Sequence, residues 1–417
     1  MRLPWCLLAL ASCLCTFVQA DLADAAALLP ACGLKCTIKS ITESSCSANN
    51  QTCICTNEEL ISSISVCVQS SCTIREQLTT KNVSDTACGK PVRDVSNLID
   101  GFGVGGGVVA LLFFIARMVS RFILSGINFG MDDCTITVAM ACLVGFSALS
   151  TELAKHGLGK DLWTIPFDSI TYILKIYYID ELLYLVVISM TKISILFFYL
   201  RIFPDKDFRK IAYGVMGVTV AYMIAFLLVS ALQCLPVQAA WFHWDGSYHG
   251  ACNNVNAQGW AAAAFNIALD LTILLLPLRQ LSKLVMSWKK KAQLLLMFLV
   301  GGFVTVVSIL RLETLFHFSN SSNFTWESAP FGYWSTIEMD VGIICACMPA
   351  VQALLKRIWP TVFGSTVQNS NGTGKSNASG RSNPLDSLSN SKNGDTKDFV
   401  PLVEVSSIRD AEGGRGY

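Results

Sequence analysis

The 417 residues are 52% hydrophobic and 15% charged, with a mean hydropathy of +0.49, whereas an ordinary soluble domain is about 25% charged. This composition argues against a soluble globular enzyme, and a formal net charge of +1 excludes a protein that coats nucleic acid. The 17 cysteines are unevenly placed, three before residue 20, eight between 32 and 88 and six thereafter, as expected of a secreted module joined to a membrane domain.

Residues 1–20 have Arg2 as their only charge, an apolar run from Leu3 to Leu14 and a small-residue site at Val18-Gln19-Ala20 before Asp21. That pattern predicts a signal peptide, and so a mature N-terminus outside the cytosol. A first transmembrane helix is the competing reading, but the run is short and a Cys-rich polar segment follows. In residues 21–96 the cysteines fall at Cys32, Cys36, Cys46, Cys53, Cys55, Cys67, Cys72 and Cys88. A segment this short buries too little apolar surface to fold securely, so four disulfides are expected to supply what its core lacks. About a hundred pairings are open to eight cysteines, and sequence does not choose among them. Zinc is the alternative, disfavoured by export to an oxidising compartment and by the lack of histidine in this segment.

The phrase Pro30-x-Cys32-Gly33-x-x-Cys36, followed by Cys46, Cys53-x-Cys55, Cys67, Cys72 and Cys88, resembles the fungal CFEM domain, an extracellular eight-cysteine module. Some members of that family bind haem through an aspartate three residues before the fourth cysteine. Here that position is Asn50, whose amide is a poorer iron ligand than a carboxylate, and no cofactor or metal is predicted. Asn50 also opens an Asn-Gln-Thr glycosylation triplet, and Asn82 opens a second.

From residue 97 to about 360, continuous apolar runs of about 20 residues predict seven membrane helices near 101–121, 131–151, 177–200, 211–233, 258–280, 292–316 and 334–356. With the N-terminus outside, the inner side carries Arg117, Arg121, Arg201, Lys206, Arg209, Lys210, Arg279, Lys283, Lys289, Lys290, Lys291, Lys356 and Arg357, against Lys155, Lys160 and Lys175 in the outer loops. Thirteen cations to three obeys the positive-inside rule and agrees with the signal peptide. Outer-loop triplets at Asn320 and Asn323 are further expected glycan acceptors. Residues 361–417, rich in Ser, Asn, Gly and Thr, predict a disordered cytoplasmic tail without a GPI-type hydrophobic end. The expected fold is all-α: a small disulfide-rich helical module, a seven-helix bundle and a tail.

Several phrases in the bundle resemble the fungal rhodopsin-like domain, a family of seven-helix receptor-like proteins that includes appressorium-signalling receptors of plant-pathogenic fungi. They are Met131-Asp132-Asp133, the loop His156 to Trp163, the segment Lys192 to Pro204, Cys234-x-Pro236 with Cys252, Asp270 with Leu276-Pro277-Leu278, and Arg311 with Glu338. Together with the module, the resemblance implies a plasma-membrane receptor that senses an extracellular or surface cue, signals inward with a heterotrimeric G protein as candidate partner, and has a link to host infection.

The residues themselves carry expectations too. Cys234 and Cys252 share one outer loop and should form a disulfide, while Cys134, Cys142, Cys345 and Cys347 read as packing residues. A charged side chain inside a bilayer costs about 2.5–3.5 kcal/mol on insertion scales, so each asks for a partner or a function. Lys192 and Asp270, near mid-span, are an expected ion pair. Asp180, Glu181, Arg311, Glu313, Glu338 and Asp340 lie at one outer depth and could line an outward-facing polar pocket or form an ion-pair layer. Arg201, at the inner end of the third span, is the candidate coupling residue. The outer aromatics Trp163, Trp241, Trp244 and Trp326 read mainly as an interfacial belt. A retinal pigment would need a mid-membrane lysine in the seventh span, which has only Lys356 at its inner end. An iron or haem transporter remains the alternative, with no histidine in mid-span to support it. No enzymatic arrangement is seen.

Overall fold

The computed structural model describes residues 26–125, 129–278, 288–319 and 322–358. The signal-peptide, Asn320 and tail expectations therefore lie outside the described residues. The chain divides into units Met1–Ser365 and Thr366–Tyr417, and everything below concerns the first.

Among the described residues, the module is built on the helices α1 (Ala31–Glu43), α2 (Gln51–Thr56), α3 (Glu58–Ser71) and α4 (Ile74–Ala87). Polar side chains start them. Asn50 Oδ1 accepts from Cys53 N at 3.0 Å, Asn57 Oδ1 from Leu60 N at 3.1 Å, and Glu76 reaches back to Thr73 N at 2.9 Å, each satisfying a helix-end donor that has no partner within its helix. The sulfurs pair Cys32–Cys72, Cys36–Cys67, Cys46–Cys53 and Cys55–Cys88. Three of these close loops of 40, 31 and 33 residues, each worth about 3–4 kcal/mol of lost unfolded-state freedom. The buried apolar side chains Cys36, Cys46, Leu60 and Val68 are few, so the cross-links carry this domain.

Seven helices long and apolar enough to cross a membrane follow: α5 (Ser96–Ser125), α6 (Met131–His156), α7 (Phe167–Ile202), α8 (Lys206–Ala231), α10 (Val255–Leu275), α11 (Trp288–Ser319) and α12 (Phe324–Ile358). Between α8 and α10, the short helix α9 (Ala239–Phe242) lies within a loop pinned by a two-residue antiparallel ladder, β1 (Cys234–Leu235) with β2 (Ala251–Cys252), and by the Cys234–Cys252 disulfide. The third and seventh spans start about ten residues earlier than the sequence expectation. Asp168 and Lys175 in α7, and Glu327 and Pro330 in α12, lower the local hydropathy, yet the helices continue through them. The added turns build a platform at the module end. There Leu158, Leu162, Ile165, Ile170 and Ile173 form a buried cluster, against which Leu78 of α4 and Trp244 pack.

The core of the bundle lies among α5, α6, α7 and α12, with Ile136, Leu143, Val187 and Ile343 fully shielded. Helix α5 approaches closely through glycine: a Cβ on Gly106 would stand 1.9 Å from Asp340 Oδ2 of α12. The loop after α6 also needs glycine. Gly159 adopts φ +92°, a left-handed conformation costly for other residues, and a Cβ there would meet Ser96 N at 2.9 Å.

Candidate functional site

Four charged side chains meet in the middle of the bundle. Lys192 Nζ of α7 lies 2.6 Å from Asp270 Oδ1 of α10, and Arg311 Nε of α11 lies 3.0 Å from Glu338 Oε2 of α12. Glu338 also accepts from Tyr184 Oη at 2.9 Å, Asn266 Nδ2 at 2.6 Å and Ser308 Oγ at 2.7 Å. Ser308 Oγ stands 3.3 Å from Asp270 Oδ2 and so joins the two pairs. The Arg311 guanidinium stacks over the rings of Tyr184, at 4.7 Å, and Phe331, at 5.4 Å. Two cations and two carboxylates cancel, and multiple hydrogen bonds saturate Glu338, which is what low-dielectric burial of charge requires. The network ties four helices at one level.

A second cluster closes the far end, away from the module. Arg117 of α5 donates to Asp133 at 2.9 Å, to Asp132 at 2.7 Å and to the Ala346 carbonyl of α12 at 2.6 Å. Arg121 meets the same carboxylates at 3.1 and 2.6 Å. Ser120 Oγ donates to the Ala350 carbonyl at 2.8 Å. These carbonyls flank Pro349, which lies inside α12, so side chains of α5 donate to the stretch of α12 around its proline. Arg201, half exposed, reaches Asp132 Oδ1 at 3.8 Å. The candidate coupling residue is therefore the outermost, least constrained member of a buried five-residue cluster.

At the near end the module grips the bundle with cations laid on aromatic faces. Arg75 pairs with Asp245 at 2.8 Å and lies 5.3 Å over Phe167 and 5.5 Å over Trp244. Lys81 sits 5.2 Å over Trp163. Arg93 forms a close ion pair with Asp161 and lies 4.5 Å over Trp326. The connector joins in: Val95 N donates to the Gly159 carbonyl at 3.0 Å, Gly159 N donates to Thr325 O at 2.9 Å, and Lys160 pairs with Asp94 at 3.4 Å. A hydrogen bond from the Ser247 hydroxyl, helped by Arg75, holds the Asp245 carboxyl below the usual range, and the Ser96 hydroxyl does the same for Asp94.

The Fungal rhodopsin domain family matches residues 116–357, more than half the chain, and the CFEM domain matches residues 25–89. The chain belongs to the fungal rhodopsin domain family. Relatives within reach of this fungal rhodopsin domain protein include a SAT4 family membrane protein of Emericella nidulans, 28% identical over 51% of this chain and 54% of that protein. Fugralins biosynthesis cluster protein 2 of Gibberella zeae is 29% identical over 42% of this chain and 44% of its own length, and Receptor GIN3 of Arthrobotrys oligospora is 26% identical over 46% of each chain. The chain spans about half the length of the curated relatives it matches. No solved structure matches.

Of the residues singled out in the rhodopsin domain sequence, the structure brings Lys192, Asp270, Arg311 and Glu338 together and separates the others. Glu181 accepts from Ser230 at 2.8 Å and Gln258 at 3.2 Å, nearer the module end. Asp180 is buried elsewhere on α7, and Asp340 is buried against Gly106. Glu313 corrects the expectation of a single polar layer: it is exposed, two residues and so about 200° around α11 from Arg311. A cavity adjoins the network on its far-end side, toward Tyr199 and Cys345. Arg117 and Arg121, counted among the inner-side cations, are helical and ion-paired, with Arg117 at 1% exposure.

Asn323 is a further correction. It is buried, its Nδ2 donates to Asp161 at 2.8 Å and its Oδ1 accepts from Leu162 N at 2.9 Å, so this amide has no room for a glycan in the packed state. Asn50 and Asn82 keep exposed or half-buried positions. Asn50 Oδ1 is engaged as the cap of α2. A capping amide oxygen does not fit the iron-ligand role that the CFEM resemblance implies, and with all eight module sulfurs in disulfides none is a thiolate ligand. The module-side cations Arg75, Lys81 and Arg93 went unnoticed in the sequence. Their only signal there was the surplus of outer tryptophans, read as an interfacial belt.

Proposed function

We propose that this protein is a plasma-membrane receptor with its module outside and its far end in the cytosol, taking an extracellular or surface cue and presenting the response to a cytosolic partner. A heterotrimeric G protein is the candidate partner, host infection is the candidate setting, and the role is signalling rather than catalysis. Relatives that include a protein named as a receptor support the class. The observation that carries this reading is the route of contacts. The module holds α7 through Phe167 and α12 through Trp326. Those two helices carry Lys192 and Glu338 of the central network, and α12 then meets Arg117 at the far end. A displacement of the module thus pulls on helices whose buried polar contacts have discrete partners, the kind of element a ligand can bias between two packings.

The test uses the full chain at the cell surface, comparing wild type with the Arg75→Ala/Arg93→Ala double variant for cue-dependent cyclic AMP at matched surface levels. Loosened docking shifts the cue response while leaving abundance unchanged. An identical dose–response curve at normal abundance would remove the module from the signalling route.

A further inference from the structure

On the far-end side of the central network lies a cavity of about 60 Å³. Since roughly 10–15 Å³ of such space holds one water, there is room for several waters or for the polar end of a small organic molecule. Its ceiling is Lys192, Asp270 and Glu338, and its walls include Ile195, Ile273 and Phe298.

Hydrogen-bond accounting decides what this cavity asks for. Both oxygens of Glu338 are engaged, by Asn266 and Ser308 on one side and by Tyr184 and Arg311 on the other. Asp270 Oδ1 faces Lys192, and its Oδ2 lies 3.3 Å from Ser308 Oγ, whose single proton has Glu338 nearer at 2.7 Å. Thr191, also in the lining, donates its hydroxyl to the Val187 carbonyl at 2.6 Å. Donors remain as well. The Lys192 ammonium has three N–H groups and, among the described residues, only Asp270 as partner. Tyr199, two turns along the same helix, lines the same cavity and carries a hydroxyl donor. The site therefore presents unengaged donors against apolar walls. Lys192 and Arg311 already balance Asp270 and Glu338, so an anion would leave net charge in a poorly solvated space, whereas a neutral acceptor would not.

We propose that this cavity binds a neutral, largely apolar molecule through a carbonyl oxygen, a ketone, ester or lactone, that accepts from Lys192 Nζ, with Tyr199 Oη marking where a second oxygen function would sit. The site stands on its own geometry and holds whether or not the chain signals.

The test takes the full chain in nanodiscs with 2-octanone carrying carbon-13 at its carbonyl, with octane and octanoate as controls. Binding is read as a saturable fraction above the linear uptake by lipid, and as a downfield shift of the carbonyl resonance when it accepts a hydrogen bond. Wild type should show both, and octane and octanoate neither. The paired change Lys192→Met/Asp270→Leu keeps the charge balance and removes the donor; it should weaken binding roughly tenfold, the loss of one charge-assisted hydrogen bond. Ile195→Phe fills the space without touching the polar ceiling and should abolish the saturable fraction, which keeps the test decisive if the paired variant fails to fold. Absence of a saturable fraction in wild type, equal saturable binding of octane or octanoate, or undiminished binding in Ile195→Phe would each overturn the proposal.

Discussion

Replacing Arg311 by methionine tests whether the central network is a structural lock. The side chain is 5% exposed and its partner Glu338 2%, so removing the cation strands a carboxylate where water cannot solvate it. Breaking a buried pair from one side costs about 3–5 kcal/mol, and the two aromatic stackings add to the loss. Against a total stability of about 5–15 kcal/mol, Arg311→Met should collapse surface abundance and lower the unfolding temperature sharply. Adding Glu338→Gln removes the stranded charge yet keeps an oxygen for Asn266 and Ser308 and an amide that can donate to Tyr184. The double variant should therefore recover at least about 2 kcal/mol of the single variant's loss, since the desolvated charge is the larger part of it. The assay is unfolding of purified protein in nanodiscs, with surface abundance in parallel. A single variant within about 1 kcal/mol of wild type, the range of an exposed pair, or a double variant no better than the single, would refute the lock.

Other outcomes follow from the same contacts. Asp133→Asn at the far end leaves Arg117 and Arg121 sharing one carboxylate and should reduce stability by about 2–3 kcal/mol in the same unfolding assay, whereas Arg201→Ala, at 3.8 Å and half exposed, should cost less than about 1 kcal/mol. Asp245 and Asp94 have carboxyls depressed below their ordinary value, so the stability they lend to docking is present above the unfolded-state value, about 3.9, and is lost as pH falls through the lower folded value. Tryptophan emission should accordingly be flat from neutrality to about pH 5 and change only below about pH 4; release of the module at pH 5–6 would contradict this. Asn323→Gln should leave the glycosidase-sensitive mobility of the chain unchanged, while Asn50→Gln and Asn82→Gln should each remove one step.

The seven spans were legible because continuous apolar runs of about 20 residues have few alternatives in a chain this poor in charge. The Lys192–Asp270 pair was legible for the related reason that a lone charge at mid-membrane depth demands a partner. Depth, however, does not give direction around a helix. Glu313 shares a level with Arg311 and faces away from it, and Asp340 shares one with Glu338 yet packs on Gly106. The early starts of α7 and α12 were hidden by Asp168, Lys175 and Pro330, whose local signal is loop and whose actual setting is the first turns of a longer helix. The module's grip was least legible. Arg75, Lys81 and Arg93 look like solvated surface charges, and no periodicity links them to tryptophans 70 or more residues away. The Asn323 triplet fits the glycan pattern perfectly, and only the packed loop reveals that its amide is used by Asp161 and Leu162.

Hydrogen exchange on the full chain in nanodiscs, comparing wild type with Arg75→Ala/Arg93→Ala, tests the coupling between module and bundle most directly. If the docked module is linked through α7 and α12 to the far end, protection should fall in α4 and the loop 157–166, and also around residues 117–121, 131–134 and 342–350, where Arg117 binds its carboxylates and the Ala346 carbonyl. A loss confined to the module and its immediate contact loops, with the far end unchanged, would contradict that link.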